Sequence, residues 1–188
     1  MNFFRQLWFS VVLGCIPMSL LAADLEQFKA EPGKALVVFT RVSGYGGAIS
    51  SSIFDITGDS RQILGIIKSK RYITYQADPG ERMFMVIGES ADFMRARLEP
   101  GKVYFANVQA RMGAWKARFS LVPWSHEERE EKKFQKGIRK AKPPKERDIE
   151  AWATKNTNSV EKKRNKYLPA WHKKTENDKE ERTLKDGV

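Results

Sequence analysis

The stretch Arg71–Leu121, RYITYQADPGERMFMVIGESADFMRARLEPGKVYFANVQARMGAWKARFSL, decides how the rest of the chain is read. Inside it, Asp78-Pro79-Gly80-Glu81 and Glu99-Pro100-Gly101-Lys102 each follow one strand-like run and start another. Upstream, Glu31-Pro32-Gly33-Lys34 stands before Ala35–Val42 in the same way. Proline presets φ at the second position of a tight turn, and glycine takes the positive φ that a type II turn demands at the third. The tetrads therefore predict three chain reversals, with Pro32, Gly33, Pro79, Gly80, Pro100 and Gly101 as structural turn residues.

Outward from that stretch, short apolar runs recur at about ten-residue spacing between Gly, Pro, Asp and Ser. They are Ala35–Val42, Ser52–Thr57, Gln62–Ile67, Tyr72–Ala77, Met83–Ile87, Phe93–Leu98, Val103–Val108 and Trp115–Val122. This is the rhythm of a sandwich or barrel. In the last run Trp115, Ala117, Phe119 and Leu121 alternate with Lys116, Arg118 and Ser120, so one face is expected to be buried and the other wet. Thr57-Gly58-Asp59 and Ser69-Lys70-Arg71 suit hairpins. The expected fold is mainly β, an antiparallel β-sandwich of about eight strands in meander order, followed by a C-terminal α-helical and partly disordered extension.

The first residues stand apart. Met1–Arg5 carries one positive charge, Leu7–Leu21 is apolar with Gly14 and Pro17 inside, and Leu21-Ala22-Ala23 ends in small residues. That is the layout of a secretory signal peptide, with cleavage near Ala23 and a periplasmic mature chain. An alternative uses Val12-Leu13-Gly14-Cys15 as a lipobox, with Cys15 lipidated. Cys15 is the only cysteine, so cleavage after Ala23 leaves no thiol and no disulfide.

Charge and composition change after Trp124. Residues 24–124 carry an excess of +4, the shorter segment 125–188 an excess of +6, and aromatic and β-branched residues thin out. The division is therefore a signal peptide over 1–23, a β-sandwich domain over 24–124 and a basic extension over 125–188. Ser125 and Glu128 form a capping box for a helix expected from about His126 to Lys140, stopped by Pro143-Pro144. Its bases Lys132, Lys133, Lys136, Arg139 and Lys140 follow its acids, and are candidate contact residues for a partner of this tail. Ile149, Trp152 and Ala153 fall on one helical face, as do Val160, Tyr167, Leu168 and Trp171 beyond a Ser159 cap, and these are expected to dock onto the β domain. From about Lys173 the chain is almost wholly charged or polar and reads as disordered.

No catalytic set stands out. The two histidines, His126 and His172, lie in the tail without ligand-spaced neighbours, which gives no metal site and no cofactor site. Ser50-Ser51-Ser52 has no histidine in the β domain to activate it. Asp55, Asp59, Asp78 and Glu99 keep a carboxylate-based glycan-acting enzyme as the weakest alternative. Gly44-Tyr45-Gly46-Gly47 leads into a strand rather than a helix, so it is a connection and not a phosphate loop. Tyr45, Gly46 and Gly47 are nevertheless candidate binding residues, because loops on rigid scaffolds carry recognition.

The run ALVVFTRVSGYGGAISSSIFD, with Ile63-Leu64-Gly65, Tyr72, Asp78-Pro79-Gly80, Leu98-Glu99-Pro100-Gly101-Lys102-Val103-Tyr104 and Phe119-Ser120-Leu121-Val122-Pro123, resembles a family of small bacterial secreted or lipoprotein β domains of unknown function. It is distantly similar to PEGA-type surface domains, which share the strand, Pro-Gly turn, strand rhythm. The likeness spans about Lys34 to Trp124. Gly101-Lys102-Val103-Tyr104-Phe105 stands where the family has Gly-Lys-x-Tyr-Tyr, and Arg82 stands where it often has histidine. The resemblance implies an envelope-exposed sandwich and brings no catalytic residues.

The net charge of +11 favours anionic partners. The leader disfavours nucleic acid and favours an envelope protein, a glycan or an anionic lipid surface. The expected function is a non-enzymatic cell-envelope module that binds another envelope component. The alternative is a polyanion or membrane-surface binder acting through the basic helices alone.

Overall fold

The computed structural model describes residues 25–44, 47–111, 118–144 and 149–188. The expected leader with Cys15, the loop residues Tyr45 and Gly46, and Trp115 and Ala117 lie outside the described residues.

Among the described residues the strands are β1 (Ala35–Arg41), β2 (Ser51–Asp55), β3 (Gln62–Ile67), β4 (Arg71–Ala77), β5 (Gly80–Ile87), β6 (Ala91–Leu98), β7 (Val103–Arg111) and β8 (Arg118–Pro123). They form two four-stranded sheets, ordered β4-β1-β7-β8 and β3-β2-β5-β6. The fold is a mainly β sandwich. Its order is not the expected meander, because β1 pairs in parallel with β7, from Leu36 opposite Val103 to Thr40 opposite Asn107. Sequential pairing survives only in β2–β3, β5–β6 and β7–β8. The Ser69-Lys70 connection, expected to close a hairpin, instead carries the chain from β3 in one sheet to β4 in the other, with Lys70 at φ 56°. The Pro-Gly turns at Gly80 and Gly101 also cross between sheets, the one at Gly33 leads into β1, and Gly33, Gly80 and Gly101 have the positive φ they were expected to take, 75°, 110° and 79°.

Period-two alternation sets the layers. Val37 and Phe39 of β1, Phe84 and Val86 of β5, Met94 and Leu98 of β6, Tyr104 and Val108 of β7, and Phe119 and Leu121 of β8 meet between the sheets. Ser120 of β8 is buried too, so that strand lacks the expected fully wet face. The opposite side chains are also covered. Outside the first sheet, Leu36, Val38, Val103 and Phe105 pack with Phe28, Trp124, Phe134 and Ile138. Outside the second, Phe54, Ile63, Met85 and Phe93 pack with Val160 and Trp171.

The segment after Trp124 supplies most of that cover. Helix α1 (His126–Glu130) has the expected capping box, and α2 (Lys132–Lys140) follows it, but the two are separate because Glu131 is extended at ψ 142°. The break has a packing reason. At 100° per residue, Arg129 and Phe134 would sit about 140° apart on one continuous helix, yet both are buried here. In α2, Gly137 allows close approach to β1, since a Cβ there would lie 2.6 Å from that of Val42.

Helix α3 runs unbroken over Ile149–His172. Ser159 does not start a new helix; the ladder continues through it, and Asn156 and Thr157 donate their side chains back to the Trp152 and Ala153 carbonyls within the same helix. The docking of Trp152, Tyr167, Leu168 and Trp171 on the β layer is as expected.

The chain beyond Lys173 is not disordered. Thr175 and Asp178 form a capping box for α4 (Glu176–Glu181), and Leu184 then enters the space between the sheets with no exposed surface. Leu184 exchanges backbone hydrogen bonds with Arg95 and Arg97 of β6 at 2.8 and 2.9 Å, and Val188 with Val103 of β7 at 3.0 and 2.7 Å. Arg182 meets Asp92 at 2.5 Å, and Arg129 donates to the Asp186 carbonyl at 2.8 Å. Composition reads this strap as charged because Leu184 is its one buried large apolar side chain, and backbone pairing with the Arg182 and Arg129 contacts supplies the rest of its anchorage.

Leu184→Ala is expected to lower the unfolding free energy by about 2–5 kcal/mol, the cost of truncating a fully buried leucine, measured by urea denaturation. A disordered tail would leave the midpoint unchanged.

Candidate functional site

Three places can carry chemistry. The first is the outer face of α2. Its basic side chains Lys132, Lys133, Lys136, Arg139 and Lys140 are all exposed, and at 100° per residue they occupy an arc of about 120°. Phe134 and Ile138 on the opposite side are fully buried against the first sheet, so the backbone that presents the charges is anchored in the core. The candidate contact residues of the tail thus come together as one rigid basic face.

The second is the loop before β2. Gly47 is exposed, and its neighbourhood is tied by a hydrogen bond of 2.7 Å from Ser69 Oγ to the Ser43 carbonyl. It is far from the Pro-Gly turns, which cluster at the other end of the sandwich as structural elements.

The third lies where β2, β5 and α3 converge. Asp55 ends β2 with 1% exposure, and its carboxylate accepts from Thr57 N at 2.9 Å, Thr57 Oγ1 at 2.5 Å and Tyr75 Oη at 3.1 Å. Arg82 sits 3.6 Å from Asp55 and 3.2 Å from Asp78, and Lys34 reaches Asp78 at 2.5 Å. Lys34, and then Arg82, hold the exposed Asp78 carboxyl below its ordinary range. Burial, and next the Asp55 charge it faces, push the Tyr75 phenol up to about 12. The candidate acids are therefore split between roles: Asp55 and Asp78 are committed to this network, Glu99 pairs with Lys102 at 2.9 Å, and Asp59 is exposed at its turn.

Beside this network an open cleft of about 340 Å³ separates α3 from the second sheet. Arg82, Arg95, Arg164, His172 and the carboxylate of Glu81 line it with Ile56, Met83 and Leu168. Sequence reasoning left these arginines out. They come from β5, β6 and α3, and the only signal available was that Arg164 stands beside the apolar positions of its helix. His126, by contrast, lies exposed near Glu130 at 3.5 Å. Among the described residues no three His, Cys, Asp or Glu side chains are grouped to hold a metal ion, and no helix is long and apolar enough to cross a membrane.

The chain matches no known protein family model and no characterised protein in these comparisons.

The phenol shift has a definite sign. A folded-state value raised above the ordinary ~10 means that the neutral phenol is favoured by folding, so its contribution is intact below pH ~10 and is lost as pH rises towards 12. Spectrophotometric titration should show a tyrosine ionising late, and Asp55→Asn should bring it part of the way back while destabilising the fold by about 1–3 kcal/mol, because the amide oxygen can keep both Thr57 bonds but the Tyr75 hydroxyl loses its carboxylate acceptor.

Proposed function

We propose that this protein is a non-enzymatic module of the cell envelope that engages an anionic envelope component through the outer face of α2. The observation that carries the reading is the pairing of five exposed bases with a fully buried Phe134 and Ile138 on one short helix. Long cationic side chains normally lose entropy on binding, and an anchored backbone reduces the part of that loss due to the helix itself. A face of this kind suits closely spaced phosphates, where each well-placed Lys or Arg contributes ~1 kcal/mol. The leader-like Met1–Ala23 and the likeness to secreted β domains support an envelope setting, with phospholipid head groups or a polyanionic glycan as the component met. The commitment of Asp55 and Asp78 to Arg82 and Lys34 favours a binding role over a carboxylate enzyme.

Removing the whole extension is not a clean test, since α2 and α3 cover both sheets and a truncated chain would expose their outer faces. Charge reversal is cleaner. Lys132→Glu/Lys136→Glu/Lys140→Glu is expected to leave the melting temperature nearly unchanged, because all three side chains are exposed. The same variant should weaken sedimentation with phosphatidylglycerol vesicles about 100-fold or more, with three contacts of ~1 kcal/mol lost. Binding to phosphatidylcholine vesicles should be weak for both proteins. Retention that is indifferent to the reversal and to salt would overturn the reading.

A further inference from the structure

We propose that the cleft between α3 and the second sheet is a binding site for a small amphiphile carrying one oxyanion group, a phosphate monoester or a carboxylate. This site is on the opposite side of the sandwich from α2, so it stands or falls independently of the vesicle contact.

The argument starts from what each arginine is already doing. Arg82 is held by Asp55 and Asp78. Arg95 directs both terminal nitrogens at the same Glu176 oxygen, each at 3.1 Å, and its Nε is buried without an acceptor. Arg164 differs. It is half-buried, its Nε is likewise buried without an acceptor, and among the described residues none of the ion pairs includes it. Only that Nε is shut off from water; the side chain lines the open cleft, where no carboxylate pairs with it among the described residues. Its guanidinium fork is matched in shape to the two oxygens of a carboxylate or phosphate.

The rest of the cleft sets the remainder of the ligand. Ile56, Met83 and Leu168 make one wall apolar, so a hydrated inorganic ion would leave that surface unused. A volume of about 340 Å³ is at the lower end for small-molecule sites, which run to roughly 300–1,000 Å³. Glu81 puts one exposed carboxylate on the rim, against Arg82, Arg95 and Arg164, so the lining stays cationic on balance, and with the apolar wall it complements a short chain ending in one anion. His172 stands at the same cleft and adds a donor or acceptor near the head group.

The test uses the full chain with octyl phosphate and octanoate as probes, and 1-octanol and inorganic phosphate as controls, followed by amide chemical shifts and calorimetry. Saturable shifts should centre on Thr57, Met83, Leu168 and His172. Either control alone should bind about ten-fold or more weakly, because each lacks half of the complement. Arg164→Gln should weaken the amphiphile about ten-fold or more without lowering the melting temperature, since it removes an unpaired cation rather than a structural pair. A preference for octyl phosphate over octanoate would assign phosphate esters as the source, and the reverse would assign fatty carboxylates. The proposal is overturned if the shifts fall elsewhere or do not saturate, if inorganic phosphate binds as well as octyl phosphate, or if Arg164→Gln binds like the parent. The shift map on the unaltered protein decides the matter even if that variant fails to fold.

Discussion

Everything in this structure follows from the pairing of β1 with β7. That ladder lies in the middle of its sheet, and every residue of β1 is buried. A strand buried on both sides cannot belong to a sheet with one face in water. The sandwich is consequently not a two-layer object but a four-layer one, with α2 and the segment around Phe28 on one outside and α3 on the other. Without those covers the outer faces would present Phe105, Phe54, Met85 and Phe93 to solvent, an apolar surface of the kind that drives association. The helices are thus part of the domain, not an appendage to it.

A few of the positive charges are spent inside the fold. Arg41 has no exposed surface, donates to the Ile49 carbonyl at 2.5 Å and lies 4.6 Å from the centre of the Phe119 ring. Arg129 is 5% exposed and joins the Trp124 and Asp186 carbonyls, each at 2.8 Å. Burial pulls both guanidinium groups below their ordinary values, yet an arginine stays charged at any physiological pH. Arg182 rests 5.2 Å from the centre of the Trp171 ring while it pairs with Asp92. A planar cation that can lie on a ring and reach carbonyls at its edge is a fastener for apolar layers, which lysine is not. Net charge alone therefore overstates how much of the basic character faces outward.

What could be read from the residues was what is local. The Pro-Gly turns, the limits of Gln62–Ile67 and the Ser125–Glu128 capping box each depend on neighbours a few positions apart, and all three are present. The parallel register of β1 and β7 depends on residues such as Thr40 and Ala106, 66 positions apart, and no local pattern specifies it. One clue was available: the continuous apolar run of β1 lacks the alternation of a half-wet strand. The strap was misread because charged residues surround Leu184, although Thr175 and Asp178 spell a helix start three residues apart. The cleft was beyond reach for the same reason as the register. Arg82, Arg95 and Arg164 mean nothing as a set until the second sheet and α3 meet.

The strap has a kinetic corollary. Leu184 completes the core only after α3 has crossed the second sheet, and Arg182 must find Asp92 from 90 residues away. Closing loops of that length before any contact repays them is what slows folding in chains dominated by non-local pairs. The strap's pairing with the edge of β6 is thus expected to form late in folding. Late closure of this kind keeps the extended form available for longer after the chain is made.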